Sequence, residues 1–160
     1  MQAGVAGVNR VVWNLRYDSL PPALADEDTG GRSALMTGPL VMPGEYVVRL
    51  TVVGKGEDQK LQVKEDPRID LPASERRLWT DALMSVAEMY RGAVALREQL
   101  TGRGSAATSD VRDASRGLAA RLATLYRQMG MSTARPTADQ QSQMQFFKTE
   151  LDSLRRRATP

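Results

Sequence analysis

Cysteine and histidine are both missing from this chain of 160 residues. Without Cys there is no disulfide, no thiolate nucleophile and no thiolate zinc site. Without His, the usual general base at neutral pH and the commonest transition-metal ligand are gone. Catalysis would fall to carboxylate, Lys, Tyr or Ser groups acting without imidazole. The isolated chain is therefore read as non-catalytic, with no catalytic residue, no cofactor and no metal assigned. Aromatic residues make up only 5% of the chain, so each one carries weight in any packing argument. No apolar run approaches the roughly 20 residues that a bilayer-spanning helix requires. No charged segment followed by an apolar stretch marks a signal peptide near Met1. Phosphate loops are missing too, since Gly54-Lys55-Gly56 lacks the necessary spacing. Glycoside hydrolysis needs two carboxylates placed across a sugar, and no spacing in this sequence pairs two acids that way.

What is present suits a soluble globular chain: 41% hydrophobic and 26% charged residues, with room for one ordinary domain or two small ones. The net charge of +3 is uneven. Residues 1–71 carry 8 basic and 10 acidic side chains, residues 72–160 carry 14 and 9. The positives of the second half are mostly Arg and are interleaved with acids. That pattern fits a solvated helix surface better than a nucleic-acid stripe.

The first half has period two. In VNRVVWNLRY, residues 8–17, Val11, Trp13, Leu15 and Tyr17 share one face. This alternation predicts a half-buried strand, with Trp13 as a sheet-core anchor rather than a platform for sugar. Tyr46–Val53 reads as a second strand and Gln59–Lys64 as its hairpin partner, with Gly54-Lys55-Gly56 as the turn. Leu40-Val41 offers a short edge piece. Residues 18–38 are rich in Pro, Gly, Asp and Ser and read as a long exposed loop. Within it, Asp26-Glu27-Asp28-Thr29-Gly30 lacks the remaining ligands of a calcium loop and reads as a solvated acidic stretch.

After Asp66-Pro67-Arg68 the period changes to that of a helix. Helices are expected over about 73–101, 109–129 and 137–157. The first has Ser74 as N-cap and Pro72 near its start, with Gly92 weakening its middle. Its stripe includes Leu78/Trp79, Leu83, Val86, Tyr90, Leu96 and Leu100. The second carries Val111, Ala114, Leu118, Leu122, Leu125 and Met129, and Gly130 stops it. The third opens on a Thr137–Gln140 capping box and carries Met144, Phe147, Leu151 and Leu154. Three single-striped helices with short connections predict an antiparallel bundle. The fold class is thus α+β: residues 1–68 as a small antiparallel β unit with a long loop at 18–38, then residues 69–160 as a three-helix bundle.

Three or four strands cannot close a sandwich, which needs about seven. The string Asn9-Arg10-Val11-Val12-Trp13-Asn14-Leu15-Arg16-Tyr17, with Gly38-Pro39-Leu40-Val41, Pro43-Gly44-Glu45-Tyr46-Val47-Val48-Arg49-Leu50-Thr51-Val52 and Asp66-Pro67-Arg68 downstream, resembles the C-terminal region of large bacterial BNR/Asp-box repeat proteins. Those are sialidase-like or sortilin-like β-propellers, often labelled glycosyl hydrolase-like. In them the propeller is followed by an immunoglobulin- or fibronectin type III-like β domain and a helical segment. The resemblance covers nearly the whole chain, but no Asp-box is present, so no propeller residue carries over. It implies a partial Ig-like sandwich, a C-terminal fragment or accessory part, and an exported parent. The function expected is an accessory or protein-interaction module. Its partner would be an upstream propeller domain, or a second copy joined through the first strand; carbohydrate is a further partner class. The alternatives are a part of a carbohydrate-processing enzyme, and a basic nucleic-acid or membrane-surface binder. The candidate surface comprises Val11, Trp13, Leu15 and Tyr17, with the Arg155-Arg156-Arg157 run at the end of the third helix, where cations oppose the helix dipole.

Overall fold

The structure, a computed structural model, describes residues 7–21, 36–101 and 106–159. Five elements follow in chain order: β1 (Gly44–Val52), β2 (Lys55–Val63), α1 (Ala73–Leu100), α2 (Ala106–Gly130) and α3 (Ala138–Ala158). The architecture is α+β, a two-stranded antiparallel sheet followed by three helices.

The hairpin pairs Gly44 with Val63 at its base and Val52 with Lys55 at its tip. Val53 and Gly54 form the turn, with φ of 46° and 78°. Two consecutive positive φ values characterise a type I′ turn, whose twist matches that of the flanking strands. The turn therefore falls one residue before the expected Gly54-Lys55-Gly56, and Gly56 pairs with Thr51 inside the ladder. Gly54 adopts this conformation freely, whereas β-branched Val53 is strained in it.

The expected strand over 8–17 does not form. A single bridge joins Arg16 to Leu40. Around it, Tyr17 N–H donates to Pro39 O and Val41 N–H to Leu15 O, both at 2.9 Å. Just upstream the chain turns. Leu15 sits at φ 58°, the Asn14 side-chain oxygen accepts from Arg16 N–H at 3.2 Å, and Trp13 Nε1 donates to Arg16 O at 3.0 Å. Such local side-chain bonds satisfy backbone groups without a neighbouring strand and so compete with ladder formation. Residues 39–41 pair with 15–17, which gives Leu40-Val41 its edge role.

The loop read as exposed is anchored at both ends. Leu20 N–H donates to Met36 O at 2.9 Å, and both side chains are buried in the same core as the helices. Gly38 allows the close approach: a side chain there would run into the carbonyls of Tyr17 and Asp18. The acidic stretch 26–30 and the helix break at 102–105 lie outside the described residues.

The bundle follows the stripes closely. Val86, Leu118 and Leu122 are wholly buried, and Trp79, Leu83, Tyr90, Phe147, Leu151 and Leu154 join them. Leu78 is the exception and faces solvent. Trp79 Nε1 donates to Met129 O at 2.9 Å, which places the start of α1 beside the end of α2 and fixes their antiparallel pairing. Helix α3 opens on the Thr137–Gln140 capping box, with both reciprocal bonds made. Helix α1 starts differently from expectation: Pro72 is the N-cap, without a side-chain bond, and Ser74 lies inside the helix. Gly92 is a point of contact, where an added Cβ would come within 3.3 Å of Leu151 Cδ2 and 2.5 Å of Arg155 Nη2. The glycine is there because α1 and α3 approach each other closely.

Polar anchors tie the preceding segments to the helices. Tyr90 O–H donates to Pro21 O at 3.1 Å, and Tyr126 O–H donates to Thr37 O at 2.9 Å. Arg76 is buried beneath the hairpin base. Its Nε donates to Glu65 at 3.0 Å, and its guanidinium lies 4.5 Å over the Trp79 ring.

Candidate functional site

The hairpin faces differ in chemistry. On one face Arg49 pairs with Asp58 at 2.6 Å and Lys60 with Glu45 at 2.9 Å, so charge is matched across the strands. The Arg49 guanidinium holds the Asp58 carboxyl below its ordinary value. The opposite face carries Tyr46, Val48, Leu50 and Val52 from β1, opposite Leu61, Gln59, Glu57 and Lys55 of β2, as the strand alternation requires. Val48, Leu50, Val52 and Leu61 are exposed, Leu50 at 63%. Trp13 extends this face, packing edge-on against Tyr46 with ring centroids 5.4 Å apart.

Tyr46 is fixed at the base. Its hydroxyl donates to Met42 O at 2.6 Å, and burial, with Tyr17 beside it, pushes its ionisation above the ordinary value. The exposed side chains of this face can act by removing apolar area from water.

The structure separates the expected interaction residues. Trp13, Leu15 and Tyr17 stand near the hairpin base, each a little over a third exposed. Trp13 is thus a lid on Tyr46 and not a sheet-core anchor. Val11 and Val12 are exposed alike, at 76% and 75%, so the alternation does not separate a buried from a solvated face there. The three arginines lie on α3. Arg155 reaches Asp152 at 3.6 Å and leans over Gly92, while Arg156 and Arg157 point to solvent. No hydrogen bond or ion pair joins the two groups among the described residues. The hairpin face itself was missed as a site. Its signal was present in β1, where Tyr46, Val48, Leu50 and Val52 alternate along one face.

Among the described residues, no cluster of three or more acidic side chains could hold a metal ion. No described helix is long and apolar enough to cross a membrane. Compared with known protein families, curated proteins and solved structures, the chain matches none.

Proposed function

We propose that the chain is a non-catalytic protein-interaction module whose hairpin presents an apolar docking face. The bundle acts as the base that holds this face in place. The observation that carries the reading is the asymmetry of the hairpin. One face carries two ion pairs beside Val47, and the other leaves Val48, Leu50, Val52 and Leu61 in water beside Trp13, with Lys55, Glu57 and Gln59 of β2 alongside them. Antiparallel sheets commonly solvate one face and pack the other, and contiguous exposed apolar patches mark interaction sites. The motif resemblance supports an accessory role beside a β-propeller in an exported parent, with the missing sheet supplied by that parent.

Sedimentation tests the docking face directly. The chain alone should self-associate as its concentration rises, because the uncovered face is its own nearest apolar partner. A Val48→Lys/Leu50→Lys variant should stay monomeric with unchanged helical circular dichroism. If the unsubstituted chain is still monomeric at millimolar concentration, the face is not a docking surface.

A further inference from the structure

A second feature lies away from the hairpin face. A cleft of about 510 Å³ opens between the 36–40 segment and the adjoining ends of α1 and α2. Its size falls in the range of small-molecule sites, roughly 300–1,000 Å³. Its lining includes Met36, Trp79 and Leu83, all buried. Two polar groups of this lining are already used: the Trp79 N–H on Met129 O and the Tyr126 hydroxyl on Thr37 O, while the hydroxyl-bearing Thr37 and Thr133 also line it. The floor formed by Met36, Trp79 and Leu83 therefore offers apolar contact.

Among the described residues, the charged ones lining the cleft are Arg16 and Arg127. Each spends one guanidinium nitrogen on a neutral acceptor: Arg16 on Gly38 O at 2.9 Å, and Arg127 on Thr124 Oγ1 at 3.3 Å. Among the described residues, neither forms an ion pair and no carboxylate lines the cleft. Two cations above an apolar floor form a specific combination. A guanidinium is a planar fork that matches a carboxylate, and the floor beneath rewards an aliphatic or aromatic body and rejects further polar groups.

We propose that this cleft binds a small amphipathic carboxylate. The head would be held by Arg16 and Arg127, and the apolar body would lie over Trp79, Leu83 and Met36. A polyphosphate or a sugar fits less well, because its polar body would lie against the apolar side chains of Met36, Trp79 and Leu83.

The test uses the full chain carrying Trp13→Phe, so that tryptophan emission reports Trp79 alone. It is titrated with decanoate, decanol and decyltrimethylammonium, each below its micelle concentration, with calorimetry alongside. Decanoate should bind about tenfold or more tighter than decanol, the scale of a charge-assisted pair, and the cation should bind weakest. Arg127 is exposed and its side chain bonds only within its own helix, so Arg127→Gln should fold normally and lose most of the preference for decanoate. Equal binding of the three probes would overturn the proposal. So would no binding at millimolar concentration, or an Arg127→Gln variant that keeps its preference.

Discussion

Single residues here are set by what they must satisfy. Arg76 is the clearest case. It is buried, it bonds Glu65, and its stem and guanidinium cover Trp79. Its Nη1 finds no acceptor among the described residues, so its contribution rests on packing as much as on charge. Glu65 is a third exposed and can be rehydrated, which limits the loss when its partner is removed. Arg76→Ala should therefore destabilise the chain by about 2 kcal/mol, less than severing a fully buried ion pair, as read from chemical denaturation. Tyr90 and Tyr126 give a pH prediction. Burial raises both phenols above the ordinary 10.0, against the pull of nearby arginines. A raised folded value means the folded state holds its proton longer than the unfolded state does. The linked stability is thus whole below pH 10 and declines as pH rises through the folded values. Stability should fall above pH 10. Tyr126→Phe should lessen that fall and remove part of the late phenolate absorbance.

At the scale of elements, helix stripes were legible and the first strand was not. Leu118, Leu122 and Leu125 could be placed because a helix repeats its apolar face every three or four residues, whatever its neighbours do. A strand needs a partner, and Val8–Tyr17 shows only that its residues suit one. The decisive local fact was Asn14, whose side chain holds Arg16 N–H and turns the backbone. Asn is a turn residue for that reason. The burial of Leu20 and Met36 was not legible either, because a short apolar residue in a polar loop has no period to reveal it. Gly92 shows the same limit: its sequence signature is a flaw in a helix, while its structural role is contact with α3. Gly92→Leu should wedge α1 from α3 and cost roughly 1–3 kcal/mol, visible as a lower melting temperature with helical signal retained. Leu122→Asp is the harsher test. Leu122 is 0% exposed, and an unpartnered buried carboxylate costs several kcal/mol, a large share of a domain's roughly 5–15. That variant should be unfolded at room temperature, whereas Arg156→Ala, exposed at the end of α3, should shift stability by less than about 1 kcal/mol.

Across the whole molecule, stability should be graded from the bundle outward. Leu20 and Met36 share one core with all three helices, and Tyr90 and Tyr126 fasten the same segments by hydrogen bonds. These parts should open together. The hairpin beyond Tyr46 is different. From Val47 to Gln62 its residues are exposed on both faces, and a two-stranded hairpin alone is marginally stable in water. Its ion pairs are solvated and add little, and Val53 holds a strained positive φ in the turn. Native-state hydrogen exchange should therefore find the amides of residues 48–59 exchanging through local opening, far faster than those of α1 and α2. Val53→Asn should slow them by up to about tenfold, since an Asn-Gly pair relieves a strain of about 1–2 kcal/mol. Raising the protein concentration should slow them further if the apolar face is covered by a second copy. Hairpin amides that exchange in dilute solution only as the whole chain unfolds would show a face already covered, and would remove the basis for a docking role.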